Sequence, residues 1–147
     1  MSIRFLSVSS ANFTLHPQLA ADTIPIGDLP LCRVLLMNNR HFPWLILVPM
    51  REGLRELFDL SDADYPAVME EVRDTAKKFA GLTNAHKMNI AALGNIVPQL
   101  HIHIIARHTH DAAWPNPVWN TSVKPEFYAS NALSHMLKKV KECLALR

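Results

Sequence analysis

The stretch Gln99-Leu100-His101-Ile102-His103-Ile104-Ile105-Ala106-Arg107 (QLHIHIIAR) decides how the rest of the chain is read. Polar and apolar residues alternate through its first half. On a β-strand successive side chains point to opposite faces. Gln99, His101, His103, Ile105 and Arg107 are therefore expected on one face, and Leu100, Ile102 and Ile104 on the other, directed into a core. The first face then carries an amide, two imidazoles and a guanidinium, with alternate residues about 7 Å apart along the strand. Three uses of such a face are open. It can be an ordinary half-buried strand whose histidines meet solvent. It can chelate zinc, since a His-x-His pair on a strand offers two ligands and His108, His110 and Asp111 lie just beyond to supply a third. Or it can present a neutral imidazole as a nucleophile, which attacks phosphorus and splits one hard displacement into two easier ones.

Working outward, Arg33–Met37 (RVLLM) and Pro43–Pro49 (PWLILVP) are two β-type runs with a short polar turn at Asn38-Asn39 between them, which predicts a hairpin. Both runs are nearly continuous in apolar character, so the hairpin is expected to be covered on both faces. Ser61 is a good helix N-cap, with Asp64 as an acidic capping-box partner and Pro66 in the first turn. Apolar residues then recur at 68, 69, 72, 76, 79 and 80, which predicts an amphipathic helix ending at Gly81. Lys87–Leu93 is expected as a strand, Gly94-Asn95 as a turn, and Pro98 as the start of the strand quoted above. Pro125–Leu146 has helical spacing of its apolar residues. Hairpin, helix, hairpin, helix is an α+β order: an antiparallel sheet with helices on one face.

The 147 residues suit one domain with a single core, spanning 1–147. No apolar run approaches the roughly 20 residues that cross a bilayer, and the first residues lack the basic-then-apolar pattern of a secretory leader, so the cytoplasm is the expected location. A net charge of +2 with scattered Lys and Arg does not indicate polynucleotide binding. Lys138, Lys139 and Lys141 are expected on the solvated face of the last helix. Cys32 and Cys143 lie far apart and are expected as reduced structural thiols. His16, His41, His86 and His135 show no partner spacing. The phosphate-binding patterns GxxxxGK[ST] and GxGxxG and the nucleophile pattern GxSxG are absent.

The quoted stretch resembles the motif of the histidine triad (HIT) superfamily, His-φ-His-φ-His-φ-φ with φ apolar. Aligned so that Ile104-Ile105 is the closing apolar pair, the three members are Gln99, His101 and His103, with glutamine in the place of the first histidine. Leu36-Met37-Asn38, a short turn and Leu45–Pro49 are similar to the family's strand pair, and Leu57–Asp62 also looks familial. The likeness covers about residues 5–110, nearest the Fhit and Hint branches, and leaves 111–147 as a Trp- and Pro-rich segment followed by the C-terminal helix. It implies a HIT-like fold of about five antiparallel strands with one main helix after the first hairpin.

The resemblance also implies a chemistry. His101 matches the nucleophile that attacks a nucleotide α-phosphorus and forms a nucleotidyl-histidine, and His103 matches the histidine that contacts the phosphate and its leaving side. Gln99 can hydrogen-bond in the first position but does not titrate near neutral pH. Asn38, with Asn39 as the alternate, matches the residue that binds ribose. Asn95 is placed to offer an amide to a phosphate oxygen. Arg107 either holds a phosphate or pairs with Asp111. Trp44 stands where many members have histidine, and its ring N–H can donate one hydrogen bond. Ile96 lacks the hydroxyl that the Hint branch carries there. Expected substrates are dinucleoside polyphosphates or nucleoside phosphoramidates. No metal or other cofactor is required, although a divalent cation can accompany a polyphosphate. The expected partners are a nucleotide and a second copy of the chain in a homodimer. The three departures, Gln99, Trp44 and Ile96, also fit a nucleotide-binding or regulatory protein with little turnover. The segment from Trp114 to Trp119 is expected either to pack over the sheet or to form a wall near the nucleotide.

Overall fold

The structure is a computed structural model that describes residues 12–147. Residues 5–11, where the domain core was expected to begin, lie outside the described residues. A short helix α1 (Pro17–Asp22) leads directly into strand β1 (Thr23–Asp28). The predicted hairpin follows as β2 (Cys32–Met37) and β3 (Trp44–Pro49). A one-turn 3-10 helix at Leu57–Asp59 precedes α2 (Asp64–Thr83), then β4 (Lys87–Ala91), β5 (Ile102–Arg107) and α3 (Ser130–Cys143). The five strands form one sheet in the order β1-β2-β3-β5-β4, antiparallel throughout. No helix among the described residues is long and apolar enough to cross a membrane.

Both faces of the sheet are buried, and alternate residues on each strand go to opposite sides. Val34, Leu36, Leu45, Leu47, Ile102 and Ile104 meet α2 through Val68, Val72, Ala76 and Phe79, and α3 through Val140. Leu35, Ile46, Val48 and Ile105 face the other way, with Phe42, Trp44, Val97, Ala113 and Val118. The two long helices, α2 and α3, therefore share one face. The second face is closed by α1 and by the segment after β5. Two-sided burial explains why β2 and β3 read as unbroken apolar runs.

Five local expectations need correction. Gly81 does not end α2: the helix continues to Thr83 and closes at Asn84, whose φ of 51° places it in the left-handed region that Asn tolerates. Ser61 Oγ does accept the Asp64 N–H at 3.1 Å. The reciprocal half of the capping box is missing, because the Asp64 carboxylate binds Arg51 instead, at 2.9 Å from its Nε. The strand from Lys87 stops at Ala91, and the last helix starts at Ser130, five residues after Pro125. Finally, β5 begins at Ile102, so Gln99 and His101 belong to the segment leading into the strand.

Candidate functional site

His101 lies immediately before β5 and His103 is its second residue. On β5, His103 pairs across the ladder with Ile46 on β3 and with Ala91 on β4. Both rings are buried, and their centroids are 4.9 Å apart at 71°. They share a cavity of about 300 Å³ with Asn95, Asp22, Met37 and Trp119. The left-handed Gly94 (φ 68°) turns the chain there, and Asn95 follows it.

The hydrogen bonds of the two rings assign their tautomers. His101 Nδ1 is 2.7 Å from the backbone oxygen of Gln99. A carbonyl only accepts, so the ring hydrogen sits on Nδ1 and the lone pair of the neutral ring is on Nε2. His103 has the opposite arrangement. Its Nδ1 accepts the Trp44 Nε1–H at 3.0 Å, so its own hydrogen sits on Nε2. Burial, and next the nearby His101, push the His103 pKa down to about 4. At neutral pH the ring is therefore an uncharged donor. Trp119 stands edge-on to both His103 and Trp44, with centroids at 4.9 and 5.5 Å. Trp119 walls the cavity, while Trp114 packs over His86 and Arg107.

Three expected site residues are placed differently. The Gln99 side chain turns away from His101: its Nε2 donates to Thr14 O at 2.9 Å and its Oε1 accepts the His16 N–H at 2.8 Å. What Gln99 offers the site is its main-chain oxygen. Asn38 does not line the cavity. Its Oδ1 accepts the Tyr128 N–H at 3.1 Å and so anchors the segment before α3, while the alternate Asn39 accepts the His41 N–H. Arg107 is 1% exposed. Its Nε and Nη2 form a two-pronged pair with Asp111 at 2.8 and 3.0 Å, Nη1 donates to Asn89 Oδ1, and Nη2 also reaches Asn116 O. The rings of Phe42 and Trp114 flank the guanidinium. Of the two uses weighed for Arg107, the geometry is that of the Asp111 pair.

One polar residue of the cavity was missed. Asp22, the last residue of α1, lines it as well. Nothing in the sequence joins Asp22 to a motif nearly 80 positions away. Its place follows from α1 running into β1, whose first residue Thr23 pairs with Met37. Among the described residues no three His, Cys, Asp or Glu side chains converge as a metal-binding group.

The same ordered elements are found in known proteins. A family model described as the HIT domain matches residues 18–110. The chain belongs to the histidine triad family. A histidine triad protein from Bradyrhizobium japonicum is 42% identical, with a TM-score of 0.87 over 90% of this chain and 98% of that one. One from Sinorhizobium meliloti is 42% identical, with a TM-score of 0.87 over 91% and 98%. One from Marinobacter aquaeolei is 41% identical, with a TM-score of 0.87 over 90% and 96%. None of the curated proteins compared matches the chain. Within this histidine triad fold, the matched segment contains His101, His103, Asn95 and Trp44. Trp119 and α3 lie beyond its end.

Proposed function

We propose that this histidine triad protein is a nucleotide-binding hydrolase or transferase that works through a nucleotidyl-His101 intermediate. Membership of a family whose proteins bind nucleotides supports the ligand class. The observation that carries the chemistry is the bond from His101 Nδ1 to Gln99 O, which leaves Nε2 with its lone pair at a cavity wall. In the first step Nε2 attacks the α-phosphorus. A P–N bond forms, and the bond to the leaving group breaks with its electron pair, which takes a proton from water. In the second step water attacks phosphorus and gives up a proton that neutralises the hydroxide left by the first step, while the P–N bond breaks and its pair returns to Nε2. His103 Nε2–H and the Asn95 amide donate hydrogen bonds to the phosphate oxygens as charge builds on them. Gln99 takes the first place of the triad and acts through its carbonyl. Dinucleoside polyphosphates and nucleoside phosphoramidates are the substrate classes, and a divalent cation can accompany the former.

The test is to incubate the protein with a phosphate-labelled nucleoside phosphoramidate, quench in alkali, where phosphohistidine-type bonds survive, and map the label. The expected site is His101. Label on His103, or on no histidine, defeats this assignment. The low-turnover binding protein is favoured by one observation: Ile96, 91% exposed, has no hydroxyl to assist a leaving group. Nucleotide binding without any trapped label is its signature.

The second copy of the chain is proposed to dock along β4. Among the described residues that strand is an edge, bonded only to β5, and Ile90 and Leu93 are half exposed beside the exposed Ile96. An unpaired apolar edge is a ready template for a partner strand. Sedimentation is expected to give about twice the 16.6 kDa chain mass. Ile90→Lys is expected to shift the protein toward monomer.

A further inference from the structure

The bond between Trp44 and His103 constrains more than the resting tautomer. Trp44 Nε1 and His103 Nδ1 are 3.0 Å apart and both rings are buried. An indole N–H donates and never accepts. A second proton on His103 has only Nδ1 to go to, and there it faces the Trp44 N–H, hydrogen against hydrogen, with no acceptor between them. The groups packed around His103 do not relieve this. They are His101 next along the face, Ile46 on β3, Ala91 on β4, Trp119, and Asp22, which lines the same cavity from α1. Arg107 lies further along the same face, spent on Asp111.

We propose that Trp44 is a positioning residue that fixes His103 as a hydrogen-bond donor at Nε2 and keeps it from carrying a second proton near neutral pH. The two imidazoles then have separate, unexchangeable duties. His101 presents a lone pair at Nε2, and His103 presents a hydrogen at Nε2. A histidine in place of Trp44 could donate or accept and would let His103 pass protons. Tryptophan cannot, so His103 acts on the phosphate oxygens as a fixed dipole, and the proton for the leaving group comes from water. The duty in turnover rests on the nucleotidyl reading above; the tautomer does not.

The experiment has two arms. In the first, long-range proton–nitrogen correlation spectra of the free protein labelled with nitrogen-15 report which nitrogen of each histidine holds hydrogen. The wild type is expected to show His103 as the Nε2–H form from about pH 8 down to about pH 5, with no imidazolium signal. Trp44→Phe, which keeps the aromatic bulk and removes the donor, is expected to populate the Nδ1–H form and to move the titration upward by about one unit. A wild-type His103 that carries hydrogen on Nδ1, or that becomes imidazolium above about pH 5, overturns the proposal without recourse to any variant. In the second arm, His103→Gln retains an amide donor and is expected to turn over within about tenfold of wild type, whereas His103→Leu loses about a hundredfold. Equal losses in the two variants overturn the donor-only duty. A wild type that binds nucleotide but shows no turnover defeats the enzymatic reading alone, and the spectra still decide the tautomer.

Discussion

A His101→Ala variant is expected to lose turnover by at least about 10³-fold while binding nucleotide within about threefold of wild type. The size of the loss follows from what the ring does. If Nε2 forms the bond to phosphorus, alanine leaves only direct attack by water, and the two-step route closes. Binding survives because the cavity walls, Asn95, Asp22 and Trp119 among them, belong to other segments. Gln99→Ala is the informative contrast. The oxygen that orients His101 is on the main chain and remains after truncation. What disappears is the pair of side-chain bonds to Thr14 O and His16 N–H. Turnover is therefore expected to stay within about fivefold of wild type. A loss near that of His101→Ala would mean that the amide itself takes part in the chemistry. Steady-state kinetics of the two variants, with nucleotide affinity measured separately, gives both results.

The contrast between these two residues also marks how far the sequence could be read. Alternation in QLHIHIIAR was enough to put His103 and Ile105 on one face of β5 and Ile102 and Ile104 on the other, because period-two patterning is a direct consequence of strand geometry. The apolar runs of β2 and β3 were equally legible, since burial on both faces leaves no room for polar residues. Strand β1 was not, because Thr23–Asp28 (TIPIGD) contains Pro25 and Gly27 and carries an irregular register at that point. The alternation also overreached by extending the strand back to Gln99. A side chain just outside a ladder is free to turn, and here it is drawn to backbone groups of the N-terminal segment, which no pattern within the motif could foretell. Asp22 and Asn38 fail for the same reason in opposite senses. One enters the cavity and the other is drawn off to Tyr128 by contacts that exist only once distant segments meet. Arg107 posed a choice between phosphate and Asp111 that spacing alone could not make, and burial made it.

That choice has the second large consequence. Arg107→Met is expected to destabilise the protein by about 3–5 kcal/mol, lowering the melting temperature by roughly 6–20 °C. The guanidinium is 1% exposed and its partner Asp111 5%. Deleting the cation leaves a buried carboxylate without its counter-charge, and removes the donors to Asn89 and to Asn116 O. Asp111 is itself the knot of the turn after β5, accepting the N–H groups of His108, Ala113 and Trp114. Burial pushes its carboxyl pKa up. The Arg107 hydrogen bonds, those backbone donors and the guanidinium charge outweigh that and hold it down to about 2. A carboxylate whose pKa is depressed on folding stabilises the fold fully above its unfolded value, near 3.8, and the contribution drains away as the pH falls toward about 2. The wild type should therefore lose stability over that acid window, and Arg107→Met, lacking the pair, should show a much shallower loss there. At temperatures where the variant is folded, its nucleotide affinity is expected to stay within about threefold of wild type. A variant that melts normally but binds nucleotide poorly would return Arg107 to the phosphate, and thermal melts across the acid range together with a binding titration near neutral pH distinguish the two outcomes.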